Sequence, residues 1–391
     1  MFLNYIDRGM VAVAAPLIKQ ELALSATAFG VAVSAFFWIY APAQLLVGWM
    51  VDRFRPERML SAGVALWGSA TAATALVTGF IPLVALRVAL GLGESAAFPG
   101  SSKLIARDVP RAHRGIANAG IGAALAFGPA FGTLVGGLIM AAWGWRAMFV
   151  IFGVATLLWL VPWRRFERAA VAAGDGDGAG VPFGVILRQP TLWAQCAGHF
   201  TSNYGFYFLL AWLPLYLVNV RGFALTEMAT MAALTYVAQG LSALAAGWAC
   251  DRLVAGGADA SRVRKGMMVI AHVVAAIGTL AIVMVDSPAE TMLWLIVTGV
   301  AIGPNSVGVY LIGQTFAGPR AAGRWIGMQN FLGNLSGIIG PIVTGLIIDV
   351  SGGYFGAFAL AAAVSAVGAL IWALVVPRVE PIDWDAAGVR P

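Results

Sequence analysis

Runs of about 20 apolar residues, separated by short loops that hold most of the charge, recur along the whole of this 391-residue chain. A hydrocarbon core roughly 30 Å thick needs about 20 residues of helix at 1.5 Å each, and lipid leaves no backbone hydrogen bond unmade, so each run must be a helix. Twelve segments can be drawn, at residues 1–18, 29–51, 59–80, 83–106, 116–141, 148–162, 192–218, 228–249, 267–285, 292–316, 325–348 and 354–376. With 60% hydrophobic and 11% charged residues, this is a polytopic protein of the lipid bilayer and not a soluble domain. The net charge of +6 does not indicate nucleic acid, because the basic residues lie in loops and form no aromatic-interleaved patch. Cys196 and Cys250 sit in apolar runs without metal-ligand spacing, and His113, His199 and His272 form no catalytic cluster. No metal, cofactor or enzymatic centre is expected.

Arginine and lysine mark one side. Arg53, Arg55 and Arg58, then Arg107, Arg111 and Arg114, then Arg164, Arg165, Arg168 and Arg188 fill alternate loops, and Arg252, Arg262, Arg264, Lys265, Arg320 and Arg324 continue the series. The opposite loops hold only Lys19, Arg146 and Arg221. The rich side is cytoplasmic, so both termini face the cytoplasm. Asp7 and Arg8 fall about 15 Å from the outer end of the first segment, at the bilayer midplane, with only six residues before Asp7. About two more turns and a basic stub are expected upstream.

The glycine- and alanine-rich stretch 169–180 reads as part of a flexible linker. It divides the chain into a six-helix bundle at 1–163, a cytoplasmic linker at 164–190, a second six-helix bundle at 191–376 and a cytoplasmic tail at 377–391. The halves repeat: Gly48-Trp-Met-Val-Asp52-Arg53 returns as Gly247-Trp-Ala-Cys-Asp251-Arg252, and Gly128-Pro129 returns as Gly340-Pro341. Equal span counts place the pseudo-twofold axis along the membrane normal, which is a transporter's arrangement. Gly128, Gly132 and Gly136 recur every four residues, as close helix packing requires.

Lys103 sits near the cytoplasmic end of the fourth apolar segment, whereas four charges lie deep inside such segments: Asp7, Arg8, Arg87 and Glu94. Each costs roughly 2.5 to 3.5 kcal/mol at the bilayer centre, so holding two helices together is a poor reason to have them. Arg87 and Glu94 are seven residues apart, on one helix face and two turns from each other. An arginine fork that switches between a carboxylate and an anionic substrate would couple anion binding to proton binding. Spans seven to twelve, as drawn, contain no Asp, Glu, Lys or Arg. They offer neutral selectivity contacts instead: Asn203, Tyr204, Tyr207, Trp212, Tyr236, Gln239, Asn305, Ser306, Gln314, Asn330 and Asn334. His199 reads as a packing residue.

The paired Gly-x-x-x-Asp-Arg loops, with Arg58 extending the first, resemble the signature of the major facilitator superfamily. Asn4-Tyr-Ile-Asp-Arg8, Ser34 to Gln44, Arg87 to Pro99 and Gly144 to Phe149 further resemble its anion:cation symporter family, which includes bacterial galactonate, glucarate and hexuronate transporters. The resemblance covers nearly the whole chain. It implies an all-α membrane protein of two six-helix bundles, acting as a monomer in the bacterial inner membrane and symporting a small organic carboxylate with protons as the coupling ion. It implies Asp7 and Glu94 as the protonatable pair, Arg87 as the link from Glu94 to the substrate, and Arg8, Tyr5 and Tyr40 as the first-half lining of the cavity. Asp52, Arg53, Arg58, Asp251 and Arg252 are the expected inner-gate latches. Residues 122–127 lack the polar side chain that sugar-acid members present there, which leaves an aromatic carboxylate open. An uncoupled facilitator or exporter on the same fold is the alternative, and the response to an inward proton gradient separates the two.

Overall fold

The computed structural model describes residues 1–108, 114–169 and 181–385, and these are helical with no strand among them. In order, the helices are α1 (Phe2–Glu21), α2 (Ala26–Arg53), α3 (Pro56–Thr74), α4 (Phe80–Glu94), α5 (Ala97–Asp108), α6 (Arg114–Leu158) and α7 (Leu160–Ala169). They continue as α8 (Phe183–Leu187), α9 (Pro190–Asn219), α10 (Leu225–Ala255), α11 (Ala260–Met284), α12 (Pro288–Ser351) and α13 (Phe355–Leu370), ending in a π turn at Ile371–Val375.

Two of these helices each hold two of the expected spans. α6 bends at Gly144 (φ 80°) and α12 at Gly318 (φ 59°), conformations that cost a side-chain-bearing residue more than they cost glycine. The fourth expected segment, in contrast, breaks after Glu94 into α4 and α5. Pro99 has no N–H to offer the Ser95 carbonyl four residues back, so the α-helical ladder loses a rung there.

Eight stretches among the described residues are long and apolar enough to cross a membrane, and the one at 123–165 includes the Gly144 bend. α1, α3 and α9 are not among the eight. They carry Asp7 and Arg8, Thr71 and Thr74, and Gln195 and His199, and all six side chains are buried. The helices that look least like membrane spans therefore supply part of the polar interior, with Arg87 and Glu94 of α4 adding to it, while Leu46, Leu76, Ile81, Trp248 and Val350 point outward as a lipid-facing surface requires.

The chain packs as two compact units. The first comprises Met1–Ala173, Tyr207–Val237 and Gly337–Ala357, and the second comprises Gly174–Phe206, Ala238–Ser336 and Phe358–Pro391. In the first unit, glycines let helix backbones touch. A Cβ added at Gly91 of α4 would stand 2.1 Å from the Phe36 carbonyl oxygen of α2, and one at Gly132 of α6 would stand 2.7 Å from the Ile6 carbonyl oxygen of α1. Gly128 meets Tyr5 in the same way at 2.7 Å, so the four-residue glycine spacing in α6 does seat α1. At one end of this unit, the Trp145 indole donates to Glu21 Oε2 (2.7 Å), while Arg146 pairs with Glu21 and donates to the Val77 carbonyl (3.0 Å).

The second unit is closed by chain that has no long helix of its own. Residues 377–385 run back across the ends of α11 and α12, and Trp384 and Val379 are buried in a core with Phe316, Trp325 and Trp372. The Ile382 N–H donates to the Phe316 carbonyl (3.0 Å) and the Trp384 indole donates to the Ala317 carbonyl (2.8 Å). Those carbonyls lie just before the Gly318 bend, where the first arm of α12 ends and its last C=O groups lack helical partners. Val181 and Ile186, near the end of the linker, join the same core, and Arg324 donates to the Val181 carbonyl (2.6 Å).

Candidate functional site

Three helices of the first unit converge on the intramembrane charges. α1 carries Asn4, Tyr5, Asp7 and Arg8, α2 carries Phe36, Phe37 and Tyr40, and α4 carries Arg87 and Glu94. Gly91 brings the α4 backbone against that of α2 at Phe36, and Gly128 and Gly132 of α6 bring α6 against α1. Asp7, Arg8, Arg87 and Glu94 are all buried, at 1%, 7%, 5% and 0% exposure, so no bulk water shares their charge.

Glu94 Oε2 accepts from Arg8 Nε at 3.2 Å, across 86 residues of sequence. The Arg8 guanidinium carbon also sits 4.6 Å from the Tyr5 ring centre, 5.0 Å from that of Phe36 and 4.6 Å from that of Tyr40. A planar cation among three π faces is held in place by their quadrupoles as well as by the ion pair. Arg87 lies 5.1 Å from the Phe36 ring centre, and its Nε and Nη1 have no hydrogen-bond partner in the protein. Arg8 Nη2, Glu94 Oε1 and both carboxylate oxygens of Asp7 are in the same position. Thr71 stands beside Asp7 and Asn4 beside Glu94, both outside hydrogen-bond geometry. Buried charged atoms without partners cost more than the pairs they leave unmade, so this cluster is built for something other than stability.

Both arginines face one cavity of about 30 Å³, whose wall includes Val33, Phe36, Phe37 and Tyr207. That volume takes a water or two. An organic anion does not fit until the walls move.

The sequence-predicted residues distribute as follows. Asp7, Arg8, Arg87, Glu94, Tyr5 and Tyr40 come together as described, with Tyr40 stacked on Phe36 at 4.8 Å. Tyr207 joins them through an edge contact with Phe37 at 4.6 Å. Asn203, Tyr204, Asn305, Asn330 and Asn334 belong to the second unit. There the Tyr310 hydroxyl donates to Asn330 Oδ1 (2.8 Å), Asn334 donates to the Asn330 carbonyl (2.8 Å), and the Asn305 side-chain oxygen is buried without a protein partner. His199 lies beside Asn203, with Nδ1 3.1 Å from the Gln329 carbonyl and Gly333 leaving room for its ring. Of the expected latches, Arg58, Asp251 and Arg252 are exposed, and Arg252 stands 5.6 Å over the Trp248 ring. The side chains of Asp52 and Arg53 lie outside the described residues.

Sequence reasoning passed over Phe36 and Phe37, although Phe36 and Tyr40 at i and i+4 share a helix face and could have been read together as a cavity wall. Tyr310 carried no such signal, because its role depends on a partner 20 residues away.

The sequence profile of the Major Facilitator Superfamily matches residues 1–258 and 225–391. The chain is 29% identical to the probable anion transporter 4, chloroplastic, of Oryza sativa subsp. japonica, over 94% of its own length and 65% of that protein's, so it spans somewhat under two thirds of that relative. It is 29% identical to the hexuronate transporter of Bacillus subtilis (strain 168), covering 99% of this chain and 94% of the other. Identity is also 29% with a probable sulfoacetate transporter of Cupriavidus necator, over 100% and 95% of the two chains. Among solved structures, a bacterial homologue of the human lysosomal transporter Spinster, inward-facing and unoccupied, superposes with a TM-score of 0.77 at 18% identity, over 96% of this chain and 93% of that one. At that identity the likeness speaks for the fold alone.

Proposed function

The chain belongs to the Major Facilitator Superfamily, and from that premise we propose that it is a secondary active transporter that takes up an organic carboxylate anion together with protons by alternating access. Its relatives carry anions, which makes it an anion transporter of this family and not an enzyme. The single observation behind the finer reading is the Arg8–Glu94 ion pair beside an Arg87 whose Nε and Nη1 lack partners, with both arginines on one cavity.

The chemistry follows from which groups compete. While Glu94 is ionised it holds Arg8. A proton on Glu94 Oε2 removes the charge that holds it, and the Arg8 fork joins that of Arg87 in presenting parallel donors to an anion. Asp7, the residue immediately before Arg8 and also buried, is the second proton-binding carboxylate. Anion and proton then enter and leave together, because each removes the penalty for the other. Phe36, Phe37 and Tyr207 give the anion's body an apolar, flat wall. We place both termini in the cytoplasm on the strength of the arginine-rich loops, and a monomer in the bacterial inner membrane on the family resemblance.

The test is uptake into proteoliposomes of three radiolabelled probes: glucuronate, sulfoacetate and benzoate. An inward proton gradient should drive at least one above its equilibrium level, and a protonophore should abolish the excess. Uptake that only equilibrates, whatever the gradient, replaces symport with facilitated diffusion.

A further inference from the structure

The start of α2 is completed by a residue more than 300 positions away. Asp349, near the end of α12, directs Oδ1 to the Ala26 N–H (3.1 Å) and Oδ2 to both the Thr27 N–H (2.8 Å) and the Thr27 hydroxyl (2.5 Å). The first N–H groups of a helix have no partner within it. Ser25 accepts from the Ala28 N–H (3.0 Å), so the local cap takes one donor and the distant carboxylate takes two. Lys19, at the end of α1, adds a positive charge beside the same carboxylate.

Along the same line the two helices touch backbone to backbone. A Cβ at Gly345 would stand 2.6 Å from the Ala26 carbonyl oxygen, one at Gly30 would stand 2.2 Å from the Pro341 carbonyl oxygen, and one at Gly337 would stand 2.7 Å from the Phe37 ring. Phe37 and Pro341 both line the cavity of the two arginines. A continuous seam therefore runs from the exposed Asp349 cap down to the cavity wall.

The seam joins helices of different sequence halves: α2 lies in the first repeat and the second arm of α12 in the other. The Glu21, Trp145 and Arg146 corner, at the end of α1, joins only helices of the first repeat. In alternating access, contacts inside one half persist, whereas contacts between halves on the closed side have to part. We propose that Asp349 is an outer latch, a carboxylate that closes the route from the outer side to the arginine cavity by capping α2 and that must let go for this side to open. Because Asp349 is exposed, water can replace its three bonds as they break, which makes the latch reversible. Only alternating access is required for this role; neither proton coupling nor the identity of the anion enters it.

A reporter cysteine at the buried, cavity-lining Leu210 tests the latch, with Cys196 and Cys250 replaced by alanine. A membrane-impermeant maleimide is added outside intact cells, so no transported ligand is needed. Asp349→Ala should speed labelling of Leu210→Cys several-fold, and Thr27→Ala, which removes the hydroxyl and no backbone donor, should speed it less. Oxidising a Thr27→Cys/Asp349→Cys pair to a disulfide should stop labelling, and reduction should restore it. Equal rates in the parent, Asp349→Ala and the oxidised pair would overturn the proposal. Retaining the buried Cys196 in a parallel detergent-solubilised sample detects unfolding, because faster labelling there would mean that Asp349→Ala had lost its fold and that Thr27→Ala and the disulfide decide the matter.

Discussion

Replacing Glu94 by glutamine keeps the shape of the buried side chain and removes its charge. In the native site Oε2 accepts from Arg8 Nε at 3.2 Å with both groups shielded from solvent. A hydrogen bond to a charged group contributes about 1.5–3 kcal/mol; the amide oxygen still accepts from the charged guanidinium but brings no charge of its own, so it should hold Arg8 nearer the lower end of that range, weaker by about 1–1.5 kcal/mol. That corresponds to roughly tenfold in the equilibrium between Arg8 held and Arg8 free to meet an anion. Glu94→Gln should therefore bind anion near neutral pH about as the parent does under acid conditions, with much of the pH dependence gone. Proton-driven accumulation should vanish, because the site no longer binds the coupling proton, while exchange of labelled for unlabelled anion across the membrane should survive. The assay is paired proteoliposome measurements, gradient-driven uptake and counterflow, on one preparation. Gradient-driven accumulation at the parent level would refute the role of Glu94. Loss of both activities in a protein that still elutes as a folded species would show that Glu94 positions the site without coupling it.

Three further outcomes follow from packing and from the loops. Gly91→Ala forces a methyl to within 2.1 Å of the Phe36 carbonyl oxygen, which neither backbone can yield without moving, and should lower stability by at least about 1–3 kcal/mol in a thermal melt. Trp384→Ala removes a buried indole and its bond to the Ala317 carbonyl, and should cost about 3–5 kcal/mol in the same assay; an unchanged melting temperature would mean the strap at 377–385 is not held. The Glu21 carboxylate, outside the spans, is held below its usual range by the Trp145 indole and then by Arg146. Its contribution is present above the unfolded-state value and is lost as pH falls through the lower folded one, so the melting temperatures of the parent and Glu21→Gln should converge on acidification below about pH 4.

How much of this was legible beforehand depended on whether the information was local. Hydropathy marked helices because burial in lipid acts on each stretch separately, and the Gly-x-x-x-Asp-Arg repeat and alternating arginine loops needed no partner to be read. Asp7, Arg8, Arg87 and Glu94 stood out for the same reason, as charges where charge is costly. Their pairing was not local. Arg87 and Glu94 share a face but are separated by about 10 Å along the axis at 1.5 Å per residue, too far to identify which of them meets which arginine or carboxylate. α1 supplies the partner, seated against α6 by Gly128 and Gly132 while Gly91 seats α4 against α2. Asp349 looked like a loop residue just past the drawn span, and residues 377–391 looked like a solvated tail. Only the crossing of α12 with α2 made the first a helix cap, and only the orphan carbonyls before Gly318 gave residues 382 and 384 something to bind. Periodicity records which face of a helix is buried; what that face meets is set by helix crossings, and those are decided by small residues hundreds of positions apart.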